Sequence, residues 1–212
     1  MKARIFLVLT ILLFLKSGNV LSQAFELTNT KDVYEYYTSG GYDEEINGII
    51  WQAKEYFSLL EVKQVSTVVF DIDETALSNF EFDTIHVPYS SERWNEWVKS
   101  GKAVALKPVK ELYDYLVSRD FHIIFITGRT SDYFDVTKAN LVNVGYNVFD
   151  TLICRDPREI KLTAAEYKTR RRQELVDNGY SIVGNVGDQW SDMSGGNSGY
   201  FVRITNYIYY VE

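Results

Sequence analysis

The feature that most constrains the fold of this chain is an alternation between short apolar runs and segments with helical spacing. The runs are rich in β-branched and aromatic residues and have no helical periodicity, which is typical of buried strands. Four are clear and a fifth is weaker: Val65–Phe70, Phe121–Ile126, Val148–Ile153, Ser181–Val186 and, as the weaker one, Tyr200–Ile204. Strands that alternate with helices form βα units. The sequence therefore predicts an α/β fold with a mainly parallel sheet flanked by helices.

The helical segments end where residues typical of helix termini occur. Helical spacing is present in Asp43–Glu61, Val109–Leu116, Ser131–Val144 and Ala164–Val176. The first of these precedes every strand and predicts an N-terminal helical extension. The last two stop at Gly145 and at Asn178-Gly179, and glycine is suited to a left-handed helix cap.

The first βα connection is interrupted by a long insertion, at about residues 77–107. It contains a short helical pattern, Ser91–Ser100, that carries Trp94 and Trp97. Parallel sheets place their active sites beyond the carboxyl ends of the strands. We therefore expect this insertion to form a small helical cap over those strand ends.

The N-terminus predicts a signal peptide at residues 1–22. Lys2 and Arg4 precede an apolar run, Ile5–Leu15, and Val20-Leu21-Ser22 offers a cleavage site. An uncleaved membrane anchor is the alternative, but the run is shorter than the ~20 residues that a spanning helix needs. The prediction is a secreted or periplasmic protein with no stable membrane association after cleavage.

The predicted mature chain, residues 23–212, forms one acidic domain. Loss of Lys2, Arg4 and Lys16 would leave 19 basic and 29 acidic side chains, a formal charge of −10. Such a surface repels nucleic-acid backbones and anionic membranes, so nucleic-acid polymers are not expected partners. Cys154 is the only cysteine, which excludes an internal disulfide.

Two carboxylates two residues apart, Asp71 and Asp73, follow the first predicted strand. One can attack an electrophile while the other handles the proton of the leaving group and then activates water. An Asp-x-Asp pair taken alone more often marks an ordinary strand terminus.

Two further motifs follow other predicted strands. Thr127-Gly128-Arg129 comes after the second strand and could cradle a phosphate through a hydroxyl and backbone N–H groups; the alternative is a helix-capping turn. Asp188 and Asp192 come after the fourth strand. With Asp71 and the backbone carbonyl of Asp73 they could form the oxygen-rich shell that Mg²⁺ prefers; the alternative is a solvated acidic loop. The joint occurrence of these motifs at strand ends favours an active site.

These motifs also carry a resemblance to a known family. The matching residues are Val69–Asn79, Ile126–Arg129, Tyr167-Lys168 with Arg172, Ile182–Asn185, Gly187–Asp192 and the C-terminal Ile204–Tyr210. They resemble the haloacid dehalogenase (HAD) superfamily of phosphotransferases, and more narrowly its subfamily IIIB of secreted acid phosphatases. That subfamily includes plant vegetative storage proteins and bacterial acid phosphatases. The resemblance covers nearly all of the predicted mature chain and implies a HAD-like Rossmannoid sheet.

The resemblance implies a role for each matching residue. Asp71 would be the nucleophile that forms an aspartyl-phosphate, and Asp73 the general acid and then the general base. Mg²⁺ would be bound by Asp71, Asp73, Asp188 and Asp192, the last in the first or second coordination shell. The transferring phosphoryl group would be bound by Thr127, Gly128 and Lys168.

Lys168 lies among several cations, and most of these are expected to be a solvated helix face. The motif match favours Lys168 for the site, with Lys161 as the alternative. The chain also departs from the family pattern at Thr205 and Tyr207, where prolines are usual.

Candidate substrate contacts are Arg129 and three aromatic residues of the insertion, Tyr89, Trp94 and Trp97. The aromatic residues could stack on a flat leaving group such as a nucleobase. The favoured alternative is that they form the cap's own small core.

The predicted function is a secreted, Mg²⁺-dependent acid phosphatase that hydrolyses phosphomonoesters, nucleotides among the candidates, through an aspartyl-phosphate. Its partner would be a small-molecule phosphomonoester. A catalytically weak storage or binding protein on the same fold is the alternative; storage proteins of the family that lost activity have replaced the nucleophile, whereas Asp71 is intact here.

Overall fold

A computed structural model describes residues 30–85 and 89–211 of the chain. The predicted signal peptide and residues 86–88 of the predicted cap lie outside the described residues. The chain divides into two compact units, one that ends at Gly41 and one that begins at Tyr42. The first unit contains helix α1 (Thr30–Thr38). None of the described helices is both long and apolar enough to span a bilayer.

Outside the insertion, the helices and strands that follow α1 alternate along the chain. In chain order they are α2 (Gly41–Ser58), β1 (Ser66–Phe70), β2 (Leu77–Ser78), α3 (Phe80–Ile85), α4 (Ser91–Ser100), β3 (Val104–Ala105), α5 (Lys107–Ser118), β4 (His122–Thr130), α6 (Phe134–Asn143), β5 (Thr151–Arg155), α7 (Ala164–Asp177), β6 (Ser181–Gly187), α8 (Trp190–Met193) and β7 (Tyr200–Arg203). This order confirms the α/β fold.

Five of these strands form one parallel sheet in the order β5-β4-β1-β6-β7. Strand β1 lies at its centre, with Val69 paired to Ile124 of β4 and to Asn185 of β6. Every residue of β1 is buried, which explains why the strand reads as a continuous apolar run and not as an alternating one. All five strands run parallel, so their carboxyl ends lie at one edge of the sheet, and the strand order changes direction beside β1.

The insertion between β1 and α5 begins and ends at the same place. Strand β2 pairs antiparallel with β3, and Leu77 lies opposite Ala105. The two-stranded pairing brings the ends of the insertion together, and the segment between them carries α3 and α4. Helix α4 covers the predicted range, Ser91–Ser100, and ends at Gly101 in the left-handed conformation (φ 60°).

Two strands differ from their predicted bounds by more than one residue. Strand β4 extends to Thr130, because the register to β5 shifts after Ile126 and accommodates polar residues at the strand end. An apolar run cannot reveal that extension. Strand β5 begins only at Thr151, because the backbone N–H and C=O of Val148 are bonded to the Tyr113 hydroxyl, at 2.6 and 2.9 Å, instead of to a strand.

Helix α6 begins at Phe134, three residues later than predicted, because Ser131–Tyr133 form a 3₁₀ turn. The predicted left-handed glycines are confirmed, since Gly145 has φ 100° and Gly179 has φ 94°. Helix α7 begins at a capping box in which Thr163 and Glu166 each bond the other's backbone N–H. That start fixes the register of α7 and with it the face on which Lys168 lies.

Candidate active site

The polar residues that follow the central strands meet at the carboxyl edge of the sheet. Asp71 directly follows β1, and its backbone N–H donates to the carbonyl of Val186 in β6 at 2.9 Å. Asp188 directly follows β6, and Thr127 lies near the end of β4. All three side chains are buried. The parallel pairing of β4, β1 and β6 therefore brings together residues that are more than 50 positions apart in the sequence.

Three carboxylates form a compact group at this edge. Asp71, Asp188 and Asp192 each offer an oxygen within 4.8 Å of the other two, and all three residues are buried. Asp192 lies on α8, and its carboxylate accepts from the backbone N–H of Gln189 at 2.9 Å. A Cβ at Gly187 would collide with the Asp192 side chain. Glycine at 187 therefore lets α8 fold back onto the end of β6.

Lys168 is the cation of this group. Its Nζ lies 2.5 Å from Oδ1 of Asp71 and also donates to Oδ1 of Asp192. Arg172, one turn later on α7, is buried and donates to the backbone carbonyl of Asp192 at 2.6 Å. The two basic residues on one face of α7 thus hold α8 against the end of β1.

The buried carboxylates perturb one another strongly. Burial raises the pKa of Asp71 well above its usual range, Lys168 opposes this, and Asp192 adds to it. Burial and then Asp192 raise the pKa of Asp188 to about 6. Burial alone would lower the pKa of Lys168, but the carboxylates of Asp192 and Asp71 outweigh it and raise that pKa.

These charges define what the group can bind. Three buried carboxylates share one lysine, so with all of them ionised the group is short of positive charge. The ligand atoms are all carboxylate oxygens, the donors that hard divalent cations take. The buried aspartates therefore fit a divalent metal ion.

Asp188 is held by three donors to which the sequence analysis gave no role. Gln189 Nε2 and Asn206 Nδ2 donate to its Oδ2 at 2.6 and 2.8 Å. Thr75 Oγ1 donates to its Oδ1 at 3.2 Å. All three residues lie inside the matched motifs, yet only their distances in space connect them to Asp188.

Asp73 is not part of the three-carboxylate group. Its Oδ1 accepts from Nη2 of Arg129 at 2.6 Å and from Nδ2 of Asn79 at 2.9 Å, and its Oδ2 accepts from Nε of Arg129 at 3.1 Å. The Arg129 side chain is only 2% exposed. Thr127 Oγ1 accepts the backbone N–H of Arg129 at 3.1 Å, while Gly128 between them is exposed.

The C-terminal segment is bonded to α2 at Thr205 and Tyr207, the two positions at which the sequence departs from the pattern that it resembles. Thr205 Oγ1 donates to Glu45 at 2.7 Å, and the Tyr207 hydroxyl lies 3.1 Å from the same carboxylate. Two hydrogen bonds to Glu45 therefore fix the start of this segment. Asn206 between them reaches Asp188.

A cleft of about 500 Å³ opens beside Asp73. Its walls include Tyr89 and Trp94 from the cap and Tyr209 from the C-terminal segment. Phe82 also lines it, and packs its ring against Trp94 and Trp97 at centroid distances of 5.3 and 6.0 Å. Trp94 thus both lines the cleft and belongs to a small aromatic core of the cap.

A family model matches residues 18–212, and its description is HAD superfamily, subfamily IIIB (acid phosphatase). This chain belongs to that family. It is therefore a phosphomonoesterase, and its substrates are small-molecule phosphates.

Relatives and a solved structure agree with the family. The chain is 40% identical over 185 residues to a stem 28 kDa glycoprotein of Glycine max, covering 84% of this chain and 73% of that protein. It is 34% identical over 186 residues to acid phosphatase 1 of Solanum lycopersicum, with the same coverage of 84% and 73%. The class C acid phosphatase of Bacillus anthracis shares the fold, with a TM-score of 0.68 and 22% identity over 84% of this chain and 83% of that one.

The raised pKa values predict how the stability of the metal-free acid phosphatase depends on pH. A carboxyl group whose folded pKa lies above its unfolded value stabilises the fold while protonated, and this stabilisation is lost as pH rises through the folded pKa. For Asp188 and Asp83, both with a pKa raised to about 6, the loss falls between roughly pH 4 and pH 6. With chelator, we expect a thermal midpoint a few degrees higher at pH 5 than at pH 7.5.

Thermal unfolding followed by circular dichroism at both pH values measures this difference. Addition of Mg²⁺ is expected to raise the midpoint more at pH 7.5 than at pH 5, since the ion competes with protons for the same oxygens. A metal-free protein that is more stable at pH 7.5 would contradict the prediction.

Proposed function

We propose that this acid phosphatase hydrolyses phosphomonoesters in two steps, with Asp71 as the nucleophile of the first. The observation that carries the proposal is the buried contact between Asp71 and Lys168 at the end of the central strand. It holds a carboxylate oxygen beside a fixed cation, at the edge of the sheet where α/β enzymes bind ligands.

In the first step an oxygen of Asp71 attacks phosphorus and the bond from phosphorus to the leaving-group oxygen breaks. The leaving oxygen takes a proton from the Asp73 carboxyl group, so an alcohol departs and an aspartyl-phosphate remains. In the second step Asp73 accepts a proton from water, whose oxygen attacks phosphorus. The bond between Asp71 and phosphorus breaks, phosphate leaves, and both carboxyl groups return to their starting states.

Positioning supplies much of the rate in such reactions. Lys168 would bind an oxygen of the transferring phosphoryl group while it offsets the charges of Asp71 and Asp192. Thr127 and the backbone N–H of Gly128 would bind further phosphoryl oxygens, since both lie near the carboxyl end of the neighbouring strand β4.

We propose that the divalent ion is Mg²⁺. Asp71 and Asp188 would bind it, with the backbone carbonyl of Asp73 and with Asp192 as a direct or water-mediated ligand. When bound, the ion offsets the negative charge of the carboxylates and of the phosphoryl oxygens. Asn206, Gln189 and Thr75 keep the Asp188 oxygens in place for this role.

The cleft beside Asp73 would receive the leaving group. Aromatic walls favour a flat leaving group, and Tyr89 and Trp94 are the cap residues placed to contact it. Nucleotides are one such class of phosphomonoester. Arg129 would act on the reaction through Asp73, because its guanidinium group bonds both oxygens of that carboxylate.

The N-terminal pattern supports export, so we propose that residues 1–22 are a signal peptide and that the enzyme acts outside the cytoplasm or in the periplasm. The mature domain would then be residues 23–212, with the cap at about residues 77–107.

A panel of phosphomonoesters tests the proposed function, with the mature chain assayed in Mg²⁺ and in chelator. We expect hydrolysis in Mg²⁺, a loss of at least about 100-fold in chelator, and recovery when Mg²⁺ is restored, because the charge that the ion offsets is central to phosphoryl transfer. Ca²⁺ at the same concentration is the control for a nonspecific ionic effect, since it takes more ligands at longer distances.

Full activity in chelator would contradict only the assignment of a metal ion and would leave the proposed phosphatase function standing. Absence of hydrolysis across the panel would contradict the proposed function and favour the alternative, a storage or binding protein on this fold. The intact set of Asp71, Lys168 and Asp188 in one buried group supports the enzyme.

A further inference from the structure

Asn79 connects the cap to the carboxylate of Asp73. The residue is fully buried, and its side-chain amide is bonded at both ends. The amide oxygen accepts from the indole N–H of Trp97 on α4 at 2.7 Å. The amide nitrogen donates to Oδ1 of Asp73 at 2.9 Å and to Oε2 of Glu74 at 3.1 Å.

The chemistry of these partners fixes which way the amide faces. An indole nitrogen can only donate a hydrogen bond, never accept one. The amide oxygen must therefore face Trp97, and the NH₂ group must face the two carboxylates. A reversed amide would set donor against donor and acceptor against acceptor in a buried site, which is costly.

Glu74 holds the other side of the same network. It is a buried non-glycine residue in the left-handed conformation, with φ 53°. Its carboxylate accepts from the backbone N–H of Asn79 at 2.6 Å and from the Tyr209 hydroxyl at 2.6 Å. The cap thus bonds Asn79 directly, and the C-terminal segment is linked to it through Glu74.

The network makes the two oxygens of Asp73 unequal. Oδ1 accepts from Asn79 and from Nη2 of Arg129, at 2.9 and 2.6 Å. Among the residues that the structure describes, Oδ2 accepts only from Nε of Arg129, at 3.1 Å, and the same Nε lies 3.2 Å from Oδ1. Oδ1 is therefore held by donors from two residues, which leaves Oδ2 as the oxygen with more free capacity to bond a further partner.

We propose that Asn79, locked by Trp97, is a positioning residue that directs Oδ2 of Asp73 toward the leaving-group oxygen. This inference rests on the proposed role of Asp73 as general acid. The cap then contributes to the reaction, because Trp97 on α4 fixes the orientation of the Asn79 side-chain amide, and that amide in turn orients the carboxyl group of Asp73. Trp97 would then act through Asn79 and not by contact with substrate.

The test compares substrates whose leaving groups need a general acid with one whose leaving group does not. Glycerol phosphate releases a basic alkoxide that must be protonated, whereas 4-nitrophenyl phosphate releases a stable phenolate. We expect Trp97→Phe, which keeps a ring and removes the N–H donor, to lower kcat/KM about tenfold for glycerol phosphate and less than twofold for 4-nitrophenyl phosphate.

Asn79→Ala is expected to show the same selectivity with a larger loss, up to about 100-fold for glycerol phosphate. Trp51→Phe is the matched control, because Trp51 is 64% exposed on α2, and both rates should stay at the wild-type value. The ratio kcat/KM is the readout because it reports the step in which the leaving group departs and not the later hydrolysis.

The outcomes separate this inference from the proposed function. Suppose that the wild type is active and that the Trp97→Phe and Asn79→Ala variants lose the same share of kcat/KM on both substrates, or none on either. That result would overturn the positioning role and leave the proposed function standing. A wild type that hydrolyses neither ester would overturn the proposed function and the inference with it. Near-UV circular dichroism of each variant identifies loss of tertiary structure, which would lower both rates equally.

Discussion

Asp71→Asn is expected to abolish turnover while the fold is retained. An amide cannot displace the leaving group from phosphorus, so we expect kcat to fall by at least ~10⁴-fold on every phosphomonoester. The fold should persist because Asn has the same shape and because burial already disfavours the charge of Asp71, whose pKa is raised. Initial rates with 4-nitrophenyl phosphate, together with thermal unfolding of both proteins, measure the two effects.

The sign of the stability effect follows from the raised pKa. At pH 7.5 without metal, burial disfavours the charged form of Asp71, and Lys168 offsets only part of that cost. The thermal midpoint of Asp71→Asn should therefore equal or exceed the wild-type value. Asp135→Asn, at an exposed carboxylate on α6, is the control and should keep full activity. Asp71→Asn with wild-type kcat would refute the nucleophile assignment.

Lys168→Met is expected to lower both activity and stability. Methionine keeps most of the aliphatic stem but leaves the buried carboxylates of Asp71 and Asp192 without their shared cation. Removal of one partner of a buried ion pair costs about 3 kcal/mol in the free energy of unfolding. The variant also loses the fixed positive charge that stabilises the negative charge developing on the phosphoryl oxygens, which lowers kcat by roughly 10²–10³-fold.

The destabilisation should depend on pH with a definite sign. Without Lys168 the pKa of Asp71 rises further, since that lysine is the cation that lowers it. The variant therefore regains stability as pH falls and the carboxylates protonate. Denaturant unfolding at pH 5 and pH 7.5 measures this, and we expect the larger loss at pH 7.5.

Lys161→Met is the matched control, because Lys161 was the alternative to Lys168 in the sequence and its side chain is exposed. It should leave both activity and the free energy of unfolding near the wild-type values. A loss of activity in Lys161→Met with none in Lys168→Met would transfer the phosphate-binding role to Lys161.

The fold was largely predictable because its central strand is buried on both faces. Strand β1 lies between two neighbouring strands and is covered by helices, so each of its positions is apolar or small, and its run is visible without any alignment. The first and last residues of strands with polar ends were harder to predict from the sequence. The end of β4 at Thr130 and the start of β5 at Thr151 both depend on hydrogen bonds to partners far along the chain.

The residues of the three-carboxylate group were also predictable, because each follows an apolar run. Lys168 was not fixed by spacing, since it lies among other cations on the same helix. The contact with Asp71 singles it out, because the capping box at Thr163 and the packing of α7 on the sheet turn this one lysine inward.

The sequence by itself determined the order of the strands and helices, the family, and the residues that stand at the strand ends. The tertiary structure decided which of the polar groups in the motifs meet. It separates Asp73, held by Arg129 and Asn79, from the group of Asp71, Asp188 and Asp192, although Asp73 is only two positions from Asp71. Hydrogen bonds and charges act through space over a few ångströms, so residues as distant as Trp97, Asn206 and Tyr209 set the environment of the site, and no local pattern records that proximity.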